Sequence, residues 1–446
     1  MEWIGSLGST LLVFAAAIFI LVSIHELGHF LAAKWFGMRV DQFSIGFPPK
    51  IVGFRRGETE YVLGATPLGG YVKIAGMIDE TMDTDFVDQE PAENEFRSKP
   101  VWQRMVVILA GVIFNMILAW VIYTGVSYVY GEDVLPMDTI EGIYIPESSL
   151  AHEMGLRSGD RIVGVNDEDV TYYNDLFNPA QLTNRNLTFW IERNGERVEI
   201  TPPSNFLDRL NDEPFLEMGW VLPNRISNVM DDSPAEAAGL QSGDRILAVD
   251  GEPTGWWVAI TERIQQAEGP LELQVERDGE IMTLSVTPDP EDSLIGIQAH
   301  DLRSDLEQIE YGVGGAVVAG AVETSDTFTG ILQGLQKLFT GQISVRENLG
   351  GPVAIANVTR QATDRGGMRG FWGITAFLSV TLAIMNMLPI PALDGGHFMF
   401  LLYEGITRRE PSVKVRMALQ QIGFVLLIGI FILVTFNDIL RTISGS

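Results

Sequence analysis

Four stretches of the chain stay apolar over roughly the 20 residues that a bilayer crossing needs. They run from about Leu7 to Phe36, from Val101 to Tyr130, over 370–404 and over 417–440, and they predict four transmembrane helices. The third carries Pro389 and Pro391, which lack backbone donors, so its helix breaks there and the following residues can turn inward as loop or frayed helix. Between the second and third stretches the pattern changes. Short runs such as RILAVDG (245–251) alternate apolar and polar positions, and Asn-Gly or Asp-Gly pairs follow them, which is the period and turn chemistry of strands and hairpins. The stretch EYVLGATPLGGYVKIAG (60–76) alternates around glycines and predicts a β-hairpin by itself. Residues 311–369 are glycine-rich and mildly amphipathic, as in GILQGLQKLF, which fits helices on a membrane surface or a linker with helical turns.

The alternating block repeats itself. SLAHEMGLRSGDRIVGVN (149–166) matches SPAEAAGLQSGDRILAVD (233–250) at 10 of 18 positions with an offset of 84, and ERNGE (192–196) meets ERDGE (276–280) at the same offset. One offset held over more than 40 residues means two copies of one fold. The stretch GL-x-x-GD-x-I in each copy resembles that of bacterial PDZ domains, which are small β-rich modules. Their groove accepts a peptide as an added strand; a groove that gates access by size fits the sequence as well.

Charge separates the same regions. Residues 131–310 hold 37 Asp and Glu against 11 Arg and no Lys, so this block accounts for −26 of the net charge of −28. That balance excludes nucleic acid as a partner, because phosphate binding needs Lys and Arg. The basic residues cluster elsewhere: Lys34 and Arg39 after the first stretch, Lys99 and Arg104 at the second, and Arg408, Arg409, Lys414 and Arg416 between the third and fourth. Basic residues mark the cytoplasmic side, so 37–100 and 405–416 face the cytoplasm while both termini and the acidic block face out. Glu2 is the only charge before the first apolar run, with no basic residue there, so the segment is expected to be a retained span rather than a cleaved signal. The chain has no cysteine, which removes disulfides and thiol nucleophiles.

The chemistry begins inside the first span. In SIHELGHFLA (23–32), His25 and His29 stand four apart, so a helix stacks them on one face where they can share a zinc ion, with Glu26 beside them as a base. Each ionisable group at the centre of a span costs roughly 2.5–3.5 kcal/mol on insertion scales, so three within five residues mark function. A catalytic zinc takes a third protein ligand. Spacing alone leaves Asp394 and His397, both in NMLPIPALDGGH (386–397), equally eligible.

HExxH in a first span, N-x-x-P-x-P-x-LDGG (386–396) in a late one and two PDZ repeats between them resemble the site-2 protease family, and within it the Gram-negative branch that regulates sigma-E. The resemblance covers essentially the whole chain. It implies His25, His29 and Asp394 as ligands of one Zn2+ and Glu26 as general base, leaving His397 as a neighbour. It also implies that Asn386 contacts the substrate backbone and that the 60–76 region forms membrane-dipping β-structure beside the active site, whose Gly69 and Gly70 are expected to bind an unwound substrate alongside it. GVIFN (111–115) resembles the family's G-x-x-x-N face. For Gly111 and Asn115, substrate contact and ordinary helix packing both remain open.

The implied fold is a polytopic α-helical membrane protein with two β-rich PDZ domains inserted between its second and third spans. Its layout is 1–36 first span, 37–100 cytoplasmic loop with hairpin, 101–130 second span, 131–221 and 222–310 PDZ domains, 311–369 amphipathic region, 370–404 third span, 405–416 cytoplasmic link, and 417–446 fourth span and tail. The implied activity is regulated cleavage of a transmembrane segment in the bacterial inner membrane, with the PDZ domains and both termini periplasmic and the active site toward the cytoplasm. The implied partners are the bilayer and single-span membrane proteins, above all a pre-trimmed anti-sigma factor, with remnant signal peptides as a second class. Two other classes compete: a divalent metal transporter, because buried His and Asp also mark ion pathways, and a catalytically silent PDZ scaffold.

Overall fold

The computed structural model describes residues 2–78, 89–177, 182, 187–203, 206–209, 215–216, 221–267, 269–290, 293–300, 302–340 and 350–444. Parts of the expected regions 37–100, 131–221, 222–310, 311–369 and 417–446 therefore lie outside the described residues. The chain divides into two compact units, Met1–Gly131 with Glu310–Ser446, and Glu132–Ile309.

Among its described residues the first unit has six α-helices: α1 (Glu2–Trp35), α2 (Val101–Tyr130), α3 (Val313–Thr340), α4 (Pro352–Met387), α5 (Asp394–Thr407) and α6 (Val413–Ser444). Four segments among the described residues are long and apolar enough to cross a membrane: Leu12–Trp35, Val101–Tyr130, Pro352–Met387 and Val413–Asp438. The third differs from the stretch read as 370–404. Its helix starts earlier, with Pro352 in the first turn where a missing N–H costs nothing, and it breaks at Gly367 (φ 55°). It stops at Met387 because Pro389 and Pro391 cannot donate to the preceding turn. A separate helix, α5, begins at Asp394.

α2 is the centre of this unit and packs against α1, α3, α4 and α5. Small residues set the spacing, as expected where apolar burial gives helices little reason to associate in lipid. Ala32 and Ala33 of α1 meet Val107, Ile108 and Ala110 of α2, and Gly28 approaches the Ala110 carbonyl so closely that a Cβ would strike it. Ala119 and Ile122 pack on Ala376 and Val380 of α4. Within 311–369 the chain forms α3 and the first half of α4, and α3 lies against α2: Trp120 Nε1 donates to the Val317 carbonyl at 3.2 Å. One acid in the spans is satisfied structurally. Asp438 of α6 accepts from the N–H groups of Gly351 (3.1 Å) and Ala354 (2.9 Å), which caps the start of α4.

Between α1 and α2 lie two long strands, β1 (Val40–Arg56) and β2 (Thr59–Ile74), joined at Gly57 and Glu58. The 60–76 stretch is therefore not a hairpin by itself; it is one arm of a longer one. Both arms fold back on themselves. Residues 40–45 pair with 70–74 on one side and 60–63 on the other, while 50–56 pair with 59–64. The result is a ribbon of four side-by-side segments in which 70–74 form one edge. Local alternation reads a strand correctly but does not name its partner, and Pro48 with Pro49 disguises β1 as a loop.

The second unit confirms the repeat. Strands Arg161–Val165, Phe189–Arg193 and Glu196–Ile200 of the first copy correspond to Arg245–Val249, Leu271–Arg277 and Glu280–Val286 of the second. Each copy forms a four-stranded sheet of the same order. The repeated Gly-Asp has a structural job in both. Asp160 accepts from Arg193 Nε (2.7 Å) and Nη2 (2.6 Å), while the same Nη2 donates to the Gly155 carbonyl (2.8 Å). Asp244, Arg277 and Gly239 repeat these contacts at the same distances. Each pair fastens a helix end to the sheet, one charge-assisted staple per copy. Glu307–Ile309 pairs with Glu132–Val134, so the unit's two ends lie side by side, as an insertion into a helical body requires.

Candidate metal centre

α1 carries HELGH in its last three turns, and helical spacing brings the His25 and His29 rings edge to face with centroids 4.8 Å apart. Asp394 reaches them because the proline break ends α4 and lets α5 start beside them. Gly395 and Gly396 make that turn possible: a Cβ on either would collide with the carbonyls of residues 387–390. Gly423 of α6 is pressed against the Pro391 carbonyl in the same way. Ala392 holds φ 78°, left-handed backbone that a non-glycine residue adopts only where its surroundings impose it. Arg104 of α2 and Glu404 of α5 form a buried two-pronged ion pair, with Nη1 to Oε2 at 3.0 Å, which ties the helix bearing Asp394 to α2.

Three donor atoms converge. His25 Nε2 and His29 Nε2 are 3.2 Å apart, and Asp394 Oδ2 lies 3.1 Å from the first and 3.4 Å from the second. A tetrahedral ion with bonds of about 2.0–2.2 Å holds its ligands at about 3.3–3.6 Å, close to this spacing. Among the described residues, the buried Asp394 Oδ2 has no hydrogen-bond partner apart from the two imidazoles it faces. His29 Nδ1 lies 2.8 Å from the Val107 carbonyl, which can only accept, so its proton is on Nδ1 and Nε2 presents a lone pair. Two imidazole nitrogens and a carboxylate oxygen aimed at one point fit zinc. Among the described residues, these three form the group whose donor atoms could share one metal ion.

Glu26 is buried (8% exposed) and lines the same cavity, of about 290 Å³, as the three ligand residues, Gly69, Gly70 and Asn386. The edge strand passes directly over it: a Cβ on Gly70 would fall against Glu26 Cγ and Val22. Asn386 Nδ2 stands 3.3 Å from His25 Nε2. Gly111 and Asn115 take a different place. They sit behind the histidines, Asn115 fully buried with Nδ2 3.3 Å from His25 Nδ1, and neither lines the cavity. His397, left eligible by spacing, lies apart from the group, with Nε2 3.0 Å from Gln420 Nε2 of α6. The Val107 carbonyl and the Arg104–Glu404 pair escaped the sequence reading. Every residue has a carbonyl, and an ion pair between residues 300 positions apart leaves no local pattern.

Two histidines and one carboxylate beside a buried glutamate, held by membrane-length helices, are a donor set and base that a zinc metalloprotease can use. The chain belongs to peptidase family M50, the site-2 proteases: the family model matches residues 13–430. Its relatives include the regulator of sigma E protease of Haemophilus influenzae, 32% identical with 99% of this chain and 100% of that protein covered. The regulator of sigma-E protease RseP of Escherichia coli is 31% identical, with 96% and 98% covered. A Xylella fastidiosa relative whose name describes a zinc metalloprotease is 30% identical, with 94% and 96% covered.

Proposed function

We propose that the chain is an intramembrane endopeptidase of the bacterial inner membrane that cuts single-span membrane proteins within their span. The observation that carries this is the burial of Glu26 and the ligand triad in one cavity between helices of membrane length. The names of the Haemophilus and Escherichia relatives support an anti-sigma factor as the principal substrate; remnant signal peptides share the same chemistry. His25, His29 and Asp394 would hold one zinc ion, which supplies Lewis acidity toward a peptide carbonyl and toward water near neutral pH. Glu26 takes a proton from water and returns it to the leaving amine.

A helical substrate poses a further problem, because each backbone group left unpaired in lipid costs several kcal/mol. The 70–74 edge pairs with 40–45, and its Gly70, Val72 and Ile74 line the cavity that holds Glu26 and the triad, where an unwound substrate could add as a strand. Asn386 holds another backbone group. The far arm of the ribbon exposes Ile51, Val52 and Phe54, consistent with a sheet that dips into lipid. Prolines placed along 69–74 at outward N–H positions are expected to depress cleavage of helix-rich substrates more than of helix-poor ones. Equal cleavage of both by variant and parent overturns the added-strand role.

The acidic unit, read as two PDZ domains on the periplasmic side, acts as a size filter that admits substrate only after an earlier protease has removed its exported domain. The reconstituted chain is expected to cut a trimmed single-span substrate, to stop under a chelator and to recover with zinc. Removal of 140–305 is expected to permit cutting of the untrimmed substrate as well. Failure of the chelator to act sinks the protease reading; unchanged dependence on trimming sinks the filter.

A further inference from the structure

The two ligand histidines are oriented by partners of different kind. The Val107 carbonyl on His29 Nδ1 is a fixed acceptor, so that ring presents Nε2 whatever the site contains. His25 has a carboxamide instead. Asn115 Nδ2 lies 3.3 Å from His25 Nδ1, the residue is 0% exposed, and its Oδ1 is buried with no hydrogen-bond partner among the described residues. A half-turn about Cβ–Cγ exchanges the donor and acceptor of an amide. With its NH2 toward the ring, Asn115 donates to Nδ1, and the imidazole proton sits on Nε2 facing Asp394 Oδ2 at 3.1 Å. With Oδ1 toward the ring, Asn115 accepts from Nδ1–H and leaves Nε2 bare for a metal.

Resting on the reading of His25, His29 and Asp394 as the zinc site, we infer that Asn115 is a positioning residue that selects the His25 tautomer, its amide oxygen accepting from Nδ1–H so that Nε2 is left bare for the metal. His29 is preset by the backbone, while His25 is set by a side chain. This gives the asparagine of GVIFN a role apart from both substrate contact and helix packing. It also accounts for a fully buried polar side chain on α2, where an unpartnered amide is costly.

The test measures zinc affinity of the full-length detergent-solubilised protein by chelator competition, for the parent, Asn115→Leu and Asn115→Asp. Leucine keeps the volume and removes the acceptor, so its zinc dissociation constant is expected to rise about 10–100-fold, the usual effect of losing a ligand's orienting partner. Aspartate accepts permanently from Nδ1–H and is expected to bind zinc at least as tightly as the parent. A packing role alone would lower the thermal midpoint of both variants without this opposite pattern in affinity. Parent-like affinity in Asn115→Leu overturns the inference. Should that variant not fold, weaker zinc binding by Asn115→Asp than by the parent overturns it. A parent chain that takes up no zinc overturns the underlying metal-site reading instead.

Discussion

Glu26→Gln is expected to keep zinc at the parent level and to lose cleavage by about 10²–10⁴-fold, the range general acid–base catalysis supplies. The substitution conserves shape and removes only the ability to accept a proton. Glu26 lines the cavity, but it is not one of the three converging ligand residues, so the metal group stays intact. Glu26 is buried at 8% exposure, packed beside Val22 and the Gly70 backbone, which limits the freedom of its side chain. The measurement pairs metal analysis of the purified variant with cleavage of a model transmembrane peptide. A transporter would bind and move zinc in the parent with no peptide cleavage to lose, and a silent scaffold would neither cut nor need zinc. Cleavage that persists in Glu26→Gln removes Glu26 from the mechanism, and zinc lost with it moves Glu26 into the ligand set.

The part of this site that the sequence states openly is the part made by one helix. His25, Glu26 and His29 follow from spacing, because a helix converts four residues into one face. Asp394 came only through family resemblance, since spacing left His397 as eligible. What separates them is tertiary: the break at Pro389 and Pro391 aims Asp394 at the histidines, while His397 meets Gln420 on α6. The repeat offset of 84 was legible as identity, yet the reason for its Gly-Asp, a staple between Asp160 and Arg193 and again between Asp244 and Arg277, depends on residues 33 apart in the chain. The ribbon was the least legible element. Alternation in 60–76 gave a strand, but nothing local reveals that 40–45 lie between two other segments of the same ribbon.

Gly111→Ala is expected to abolish tight zinc binding while leaving the helices folded. An added Cβ would stand 2.7 Å from His25 Cε1 and 2.8 Å from His29 Cε1, and closer still to His29 Nε2. Alanine is favoured over glycine in a helix by about 1 kcal/mol, so α2 itself does not suffer. Nor can α2 step back to make room. Its Arg104 is bound to Glu404 near one end, and Ala119 and Ile122 are packed on α4 further along. The rings must move instead, and His29 cannot turn without giving up the Val107 carbonyl. Displacing both imidazoles should cost more than losing one orienting partner, so zinc affinity is expected to fall by at least about 100-fold, with cleavage lost in parallel. Metal content after desalting, set beside helical circular dichroism, makes the check; full zinc occupancy in a folded Gly111→Ala protein would show that the histidines do not need this close approach. Because Gly111 and Asn115 both act through His25, combining Gly111→Ala with Asn115→Leu should weaken zinc binding by less than the product of the two separate effects.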